Sequence, residues 1–309
     1  MEWGIGSACH GARTVARFGV MDVRKDAAEF LRSRRARLSP EDAGLPAWGG
    51  NRRVKGLRRE EVALLAGVSV EYYVRLERGN LGGASQSVLD AVANALQLDE
   101  AERAHLHDLA RTAATGASSA GRQTRRTVRP PVQWLLDSMS GTAAYVRNAR
   151  IDILATNILG RALYAPVFEM PGRPNVARFV FLDPRSQDFF IEWQKVAGES
   201  AALLRTLAGE NPYDQGLTAL VGELSTRSEL FRTLWAAHDV RQHRTGVKRF
   251  HHPLVGEMTL SYESMALTAD PGLRLNAYVA EPASPSAEAF SMLASWATAP
   301  ASDLVAVEE

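Results

Sequence analysis

The sequence predicts two domains of different class, an N-terminal all-α domain and a C-terminal α+β domain. Three observations predict this. The chain has 309 residues, more than one ordinary hydrophobic core organises. Apolar residues recur with helical spacing before Thr112, and period-two alternation enters only after Pro131. Between the two regimes lies TAATGASSAGRQTRRTVRPP, Thr112 to Pro131, a small and basic stretch closed by prolines. The boundaries read from these changes are 1–21 for an extension, 22–111 for the helical domain, 112–131 for a linker, 132–298 for the α+β domain and 299–309 for a tail.

Composition narrows the class. With 46% apolar and 23% charged residues the chain can bury a core and stay in water. No apolar run approaches the ~18–20 residues that span a bilayer. The first twenty residues hold His10, Arg13 and Arg17 and no apolar core, so a signal peptide is not expected, and a cytoplasmic location follows. Met1 to Val20 reads as a disordered extension or as the product of an upstream start codon. Cys9 is the single cysteine, which excludes intrachain disulfides and cysteine-based zinc sites.

A net charge of +1 conceals an asymmetry. Arg24 to Arg59 carries eleven Lys/Arg against four Asp/Glu, and Glu60 to Ala110 carries three against nine. Arg111 to Arg129 then adds five arginines and no acid. Concentrated basic charge of this kind suits a polyanion such as nucleic acid.

The elements follow in order. Residues 24–37 place Ala27, Ala28, Phe30, Leu31 and Ala36 along a narrow helical stripe, with arginines filling a basic outer face. Pro40, Gly44, Pro46 and Gly49-Gly50 break that helix. The stretch RREEVALLAGVSVEYYVRLERG, 58–79, predicts a helix with Val62, Leu65 and Ala66 on one face, stopped at Gly67. A second helix starts at Ser69, a good N-cap, and turns Tyr73 and Leu76 inward. Two helices joined across a glycine turn, with small Ala63 where they cross, make a helix-turn-helix unit. Val88, Leu89, Val92, Ala93 and Leu96 give a fourth helix, and Asp99 with Glu102 opens a fifth through Leu106 and Leu109.

The phrases GLRREEVALLAGVS, YYVRLERG and VLDAVANALQL resemble the XRE (Cro/repressor-like) regulators. LRREEVA, VSVEYY and LERGN resemble the branch that carries an MmyB-like ligand-binding domain. The resemblance implies a five-helix DNA-binding domain. In helix-turn-helix docking the second helix of the motif enters the major groove. Its N-terminal residues Ser69, Val70, Glu71, Tyr72 and Arg75 are the expected base and groove contacts. Arg75 suits guanine, Glu71 a cytosine amine and Val70 a thymine methyl. Arg59 resembles the family position that reaches the backbone or an outer base, and Arg52, Arg53, Lys55 and Arg58 would grip phosphates. Two alternatives stay open: Glu71 as a helix-start stabiliser, and Arg75 as its i,i+4 ion-pair partner. Glu77, by resemblance, is a structural ion-pair partner.

Beyond Pro131, VQWLLDSM predicts a short helix, and GTAAYVRNARIDILATN two strands about a turn at 148–150. A helical block follows from about Asn157 to Val240. GVKRFHHP, EMTLSYES and LRLNAYVA predict three more strands, and SAEAFSMLASWA a last helix. This order is that of a PAS-like domain, an antiparallel sheet covered by helices. ARFVFLDP, FFIEWQKVA, LVGELSTRSELFRTLWAAHDV and KRFHHPLVGEMTLSYE resemble the MmyB-like ligand-binding domain. Phe179, Phe189, Phe190, Trp193, Trp235, Phe250, Tyr262 and Tyr278 are the aromatic residues expected to line a pocket, with Asn157, Arg178 and His238 to fix a head group.

No catalytic motif is present: there is no P-loop, no G-x-G-x-x-G with an acidic partner and no G-x-S-x-G elbow. His251 and His252 face opposite sides of a strand, and His238 and His243 lie off the helical i,i+4 spacing, so no metal site and no cofactor is expected. The expectation is a homodimeric transcription regulator binding double-stranded operator DNA and a small apolar, fatty-acid-like effector. The competing expectation is a C-terminal domain that is a ligand-free dimerisation or protein-interaction module.

Overall fold

The computed structural model describes residues 22–45, 54, 56–115, 127–240 and 244–298. The N-terminal extension, the linker residues 116–126 and the tail therefore lie outside the described residues, as do Arg52, Arg53, Lys55 and His243.

Five helices build the N-terminal domain: α1 (Val23–Arg37), α2 (Arg59–Leu65), α3 (Val70–Glu77), α4 (Gln86–Ala95) and α5 (Glu100–Thr115). Asp22 caps α1, its carboxylate accepting from the amides of Arg24 and Lys25. Ser85 caps α4, and Asp99 caps α5 by accepting from the Glu102 amide. Phe30, Leu31, Leu57, Val62, Tyr73, Leu76, Val92 and Leu106 form the buried centre.

Two expectations about this domain are corrected. Leu65 is 37% exposed, and Ala63 joins Val62 and Ala66 on the inner face of α2. The arginines of α1 are not all on an outer face either. Arg34 and Arg35 turn inward, because buried carboxylates await them.

The C-terminal domain opens with α6 (Pro130–Asp137) and holds β1 (Ala143–Arg147) and β2 (Ile153–Thr156). Then come α7 (Ile158–Leu163), α8 (Ala165–Phe168), α9 (Val176–Leu182), α10 (Arg185–Phe189), α11 (Trp193–Glu210), α12 (Gln215–Arg227) and α13 (Glu229–Ala236). The chain closes with β3 (Thr245–His252), β4 (Gly256–Ala266), β5 (Arg274–Ala280) and α14 (Pro285–Thr298). The strands form one antiparallel sheet of order β2-β1-β5-β4-β3.

Period-two alternation assigns the faces. In β3, Lys248, Phe250 and His252 point inward while Arg249 and His251 are exposed. In β4, Met258, Leu260, Tyr262 and Ser264 share the inner face. β1 is buried throughout, because α6 packs Val132 and Leu136 against Ala144, Val146 and Leu275 on its other side.

The two domains share a charged seam. Arg34 lies 3.0 Å from the Glu102 carboxylate and donates to the carbonyl of His238. Arg205 of α11 stands 3.5 Å from Asp26, with its guanidinium 3.8 Å over the Trp235 ring. His105 packs edge-on against Phe30 at 5.0 Å. Gly209 gives that imidazole its space: a Cβ there would sit 2.6 Å from its ring.

Burial of His105 pushes its pKa down to about 3, and the cations Arg205 and Arg34 with His238 push the same way. The carboxylates Asp26 and Glu102 pair with those arginines, and Glu29 with His238. The folded state therefore holds this imidazole neutral, while an unfolded chain protonates it near pH 6.5. Stability from this residue is full above the unfolded pKa and is lost as pH falls. From pH 7 to pH 5 the loss is about 2 kcal/mol. Urea unfolding at both pH values measures it, and His105→Gln is expected to flatten that share of the slope. An unchanged slope in the variant would refute the assignment.

Candidate functional site

The first site is the face around α3. At the end of α2, Gly67 adopts φ +63°, with its amide donating to Leu64 and the next amide, of Val68, donating to Ala63. That pair of bonds closes the helix and needs a residue free to enter the left-handed region. Two residues later Ser69 caps α3, its hydroxyl accepting from the Tyr72 amide at 3.1 Å. The turn thus sets α3 across α2 with Tyr73 and Leu76 buried beneath it.

What remains outside is a reading face. Val70, Glu71 and Arg75 are exposed and Tyr72 is half-buried, at the N-terminal turns of a helix whose first amides point outward. Among the described residues no ion pair joins Arg75 to Glu71. Arg59 divides its attention: its Nε donates to Glu77, while half of its side chain stays exposed. Arg58 is exposed at the start of α2, where its amide donates to Glu61 at 2.6 Å. Glu77, 2% exposed, receives Arg35 of α1 and Arg59 of α2 together, and so ties three helices. Among the described residues, then, the structure brings Arg58, Arg59, Ser69, Val70, Glu71, Tyr72 and Arg75 to one motif.

The second site is the interior between the sheet and α7–α11. Phe179, Phe189, Phe190, Phe250, Tyr262 and Tyr278 meet there in one aromatic cluster. Tyr164 completes it, its hydroxyl donating to that of Tyr278 at 2.8 Å. These rings pack edge to face on one another and fill the centre.

The other expected ligand contacts have different tasks in the structure. Asn157 is the N-cap of α7 and a buried bracket, accepting from Ala144 and Gly160 and donating to Met139 and Thr142. Arg178 is held by Glu223 at 2.9 Å. The Trp193 indole donates to the Val180 carbonyl. Trp235 stacks on Phe231 and lies beneath Arg205, and His238 meets Glu29 at 3.0 Å on the seam. Sequence proximity to apolar stretches suggested these residues, but helix capping and ion pairing claim their polar atoms.

A polar cavity of about 20 Å³ adjoins the aromatic cluster, lined by Tyr145, Arg147, Ile151, Val176, Glu199, Ser200, Leu203, Lys248 and Asn276. Burial lowers the pKa of Lys248 to about 8, with Glu199 acting the other way, and that of Arg147 to about 10. Ile151 enters the cavity wall with φ +60°, an unusual backbone for a β-branched residue. Sequence reasoning passed over Arg147, Lys248 and Asn276. Their signal was present: each occupies an inward strand position two residues from an aromatic side chain, Tyr145, Phe250 and Tyr278 respectively.

Among the described residues no group of three His, Cys, Asp or Glu could hold a metal ion, and no helix is long and apolar enough to cross a membrane.

A helix pair presenting an exposed second helix, joined to a sheet domain with a small polar cavity, is the arrangement of a helix-turn-helix protein with a second, regulatory-type domain. Comparison with protein families agrees. A helix-turn-helix domain model matches residues 26–106, and a model of the MmyB-like transcription regulator ligand binding domain matches residues 128–293. The latter spans more than half the chain, which therefore belongs to the MmyB-like transcription regulator family. No curated protein matches it. The protein is a DNA-binding transcription regulator with a ligand-binding domain.

Proposed function

We propose that the protein is an XRE-type homodimer that reads operator DNA through α3 and adjusts its affinity when its C-terminal domain binds a small, largely apolar effector. The observation that carries the reading is the exposed set Val70, Glu71 and Arg75 on the first turns of α3. Two-fold dimers would place two such helices about one helical turn of DNA apart. The strand order β2-β1-β5-β4-β3 supports a PAS-like sensor. The seam supports coupling, because α11 contributes Glu199, Ser200 and Leu203 to the cavity and Arg205 and Gly209 to the contact with the DNA-reading domain.

The test begins with selection of bound sequences from random DNA. On the selected operator, Arg75→Ala is expected to lower specific affinity by about 1–3 kcal/mol and to relax specificity at one base position. Equal losses on selected and random DNA would reduce Arg75 to a phosphate contact. For the sensor half, a ligand that saturates the C-terminal domain and leaves operator affinity unchanged would refute the coupling.

A further inference from the structure

A short segment between α13 and β3 belongs to both domains at once. Val240 is 7% exposed and packs into the hydrophobic cluster of the N-terminal domain, whose other described buried members all lie between Ala27 and Ala110. Yet Val240 stands just beyond the end of α13, and Phe231 of that helix is fully buried in the core of the C-terminal domain. One short piece of chain therefore carries a core residue of each domain.

The residues before Val240 are shaped for the crossing. The His238 amide donates to the Trp235 carbonyl and closes α13, and the backbone then turns at φ +55°. A left-handed conformation is uncommon outside glycine and persists only where surrounding contacts hold it. The His238 carbonyl accepts from Arg34, and its Nε2 lies 3.0 Å from the Glu29 carboxylate. Asp239 follows, 3.4 Å from Arg34 and 3.7 Å from Arg37. Glu29, Arg34 and Arg37 all stand on α1. The Asp239 pairs are open to solvent and weak, so buried Val240 and the buried contact of Arg34 with His238 carry the grip.

The reading unit leans on the same helix. Arg35, the neighbour of Arg34, binds Glu77 at the end of α3, and Glu77 also holds Arg59 of α2. A displacement of α1 therefore reaches both helices of the motif.

We infer that His238, Asp239 and Val240 form a latch through which the C-terminal domain holds α1 and carries movements of α13 to the DNA-reading helices. The latch acts alongside the contact made by α11. The inference rests on the reading of the C-terminal domain as a sensor and adds an element that transmits its state.

Hydrogen exchange of the full-length protein, read by mass spectrometry, tests the grip. Val240→Ala is expected to speed exchange in peptides of α1 and α5 at least about fivefold and to leave β1 and β5 unchanged. Acceleration confined to α13 and the residues up to Val240 would mean that Val240 leans on the N-terminal domain without holding it, and the inference fails. Transmission is tested from the other end. Phe231→Leu, inside the C-terminal core, is expected to speed exchange in α1 at least about threefold, and to lose that effect when Val240→Ala is also present. No effect on α1, or an equal effect with and without Val240, overturns the latch as a transmitter.

DNA binding separates the latch from the functional reading. On a duplex selected from random DNA, Val240→Ala is expected to lower affinity at least about threefold, although Val240 lies outside the reading unit. Unchanged affinity beside accelerated α1 exchange reduces the segment to a structural support and overturns the inference. If the wild type selects no duplex, the operator reading falls, and the exchange cycle alone decides the latch.

Discussion

A Glu77→Ala protein is expected to lose about 3–5 kcal/mol of stability, a large fraction of what holds a domain folded. The carboxylate is buried and takes Arg35 from one side and Arg59 from the other, so its removal leaves Arg35, whose side chain is 11% exposed, without its counter-charge. The loss is larger than that of a surface ion pair because the remaining charge has no water to retreat to. Unfolding by urea followed by far-ultraviolet circular dichroism measures it. Glu77→Gln, which keeps shape and removes charge, should recover part of the loss by accepting one of the two arginines. A change below about 1 kcal/mol in the alanine variant would show that the three helices do not depend on this bracket.

The second large effect is expected at Asn157. Its side chain accepts from the amides of Ala144 and Gly160 and donates to the carbonyls of Met139 and Thr142, at 2.7–3.0 Å. Asn157→Ala removes the cap of α7 and leaves buried backbone groups unpaired, a cost of about 3 kcal/mol. Asn157→Asp keeps the acceptors and loses the donors, and should fall between the two. The same pair of variants decides whether Asn157 has a second role. On protein that remains folded, effector affinity is expected to match the wild type, and a specific loss of affinity would place the residue back among the ligand contacts.

These two residues also show what a sequence discloses. The N-terminal unit was legible because its rules are local: a glycine at the turn, a cap at Ser69, and small or apolar residues at helical spacing. Five helices and the inward turn of Tyr73 and Leu76 follow from such patterns, and the five strands of the second domain from period-two alternation. The interior of the C-terminal domain was legible only as composition. Aromatic residues announced a core, and Phe179, Phe189, Phe250, Tyr262 and Tyr278 do meet. The polar atoms could not be assigned, because their partners come from distant positions. Asn157 bonds to a neighbouring strand, His238 to α1, and Arg178 to α12. Arg34 illustrates the same limit from the other side. Its charge suggested an outward place, but it shares the helical face of Ala27, Phe30 and Leu31, and the Glu102 carboxylate and the His238 carbonyl, both distant in sequence, let a cation stay there.

Helix α11 has a consequence for how such a molecule would keep its accounts. Glu199 and Arg205 are separated by six residues of one helix, about 9 Å along its axis. A helix is stiff over that span, so neither end can be displaced alone. Under the proposed coupling, information runs in both directions along the same rod. If an effector weakens the grip on an operator by some factor, the operator must loosen the effector by that factor. The protein would then be as much a DNA-dependent ligand trap as a ligand-dependent DNA binder, and the number of free operators in a cell would help set how much effector it holds.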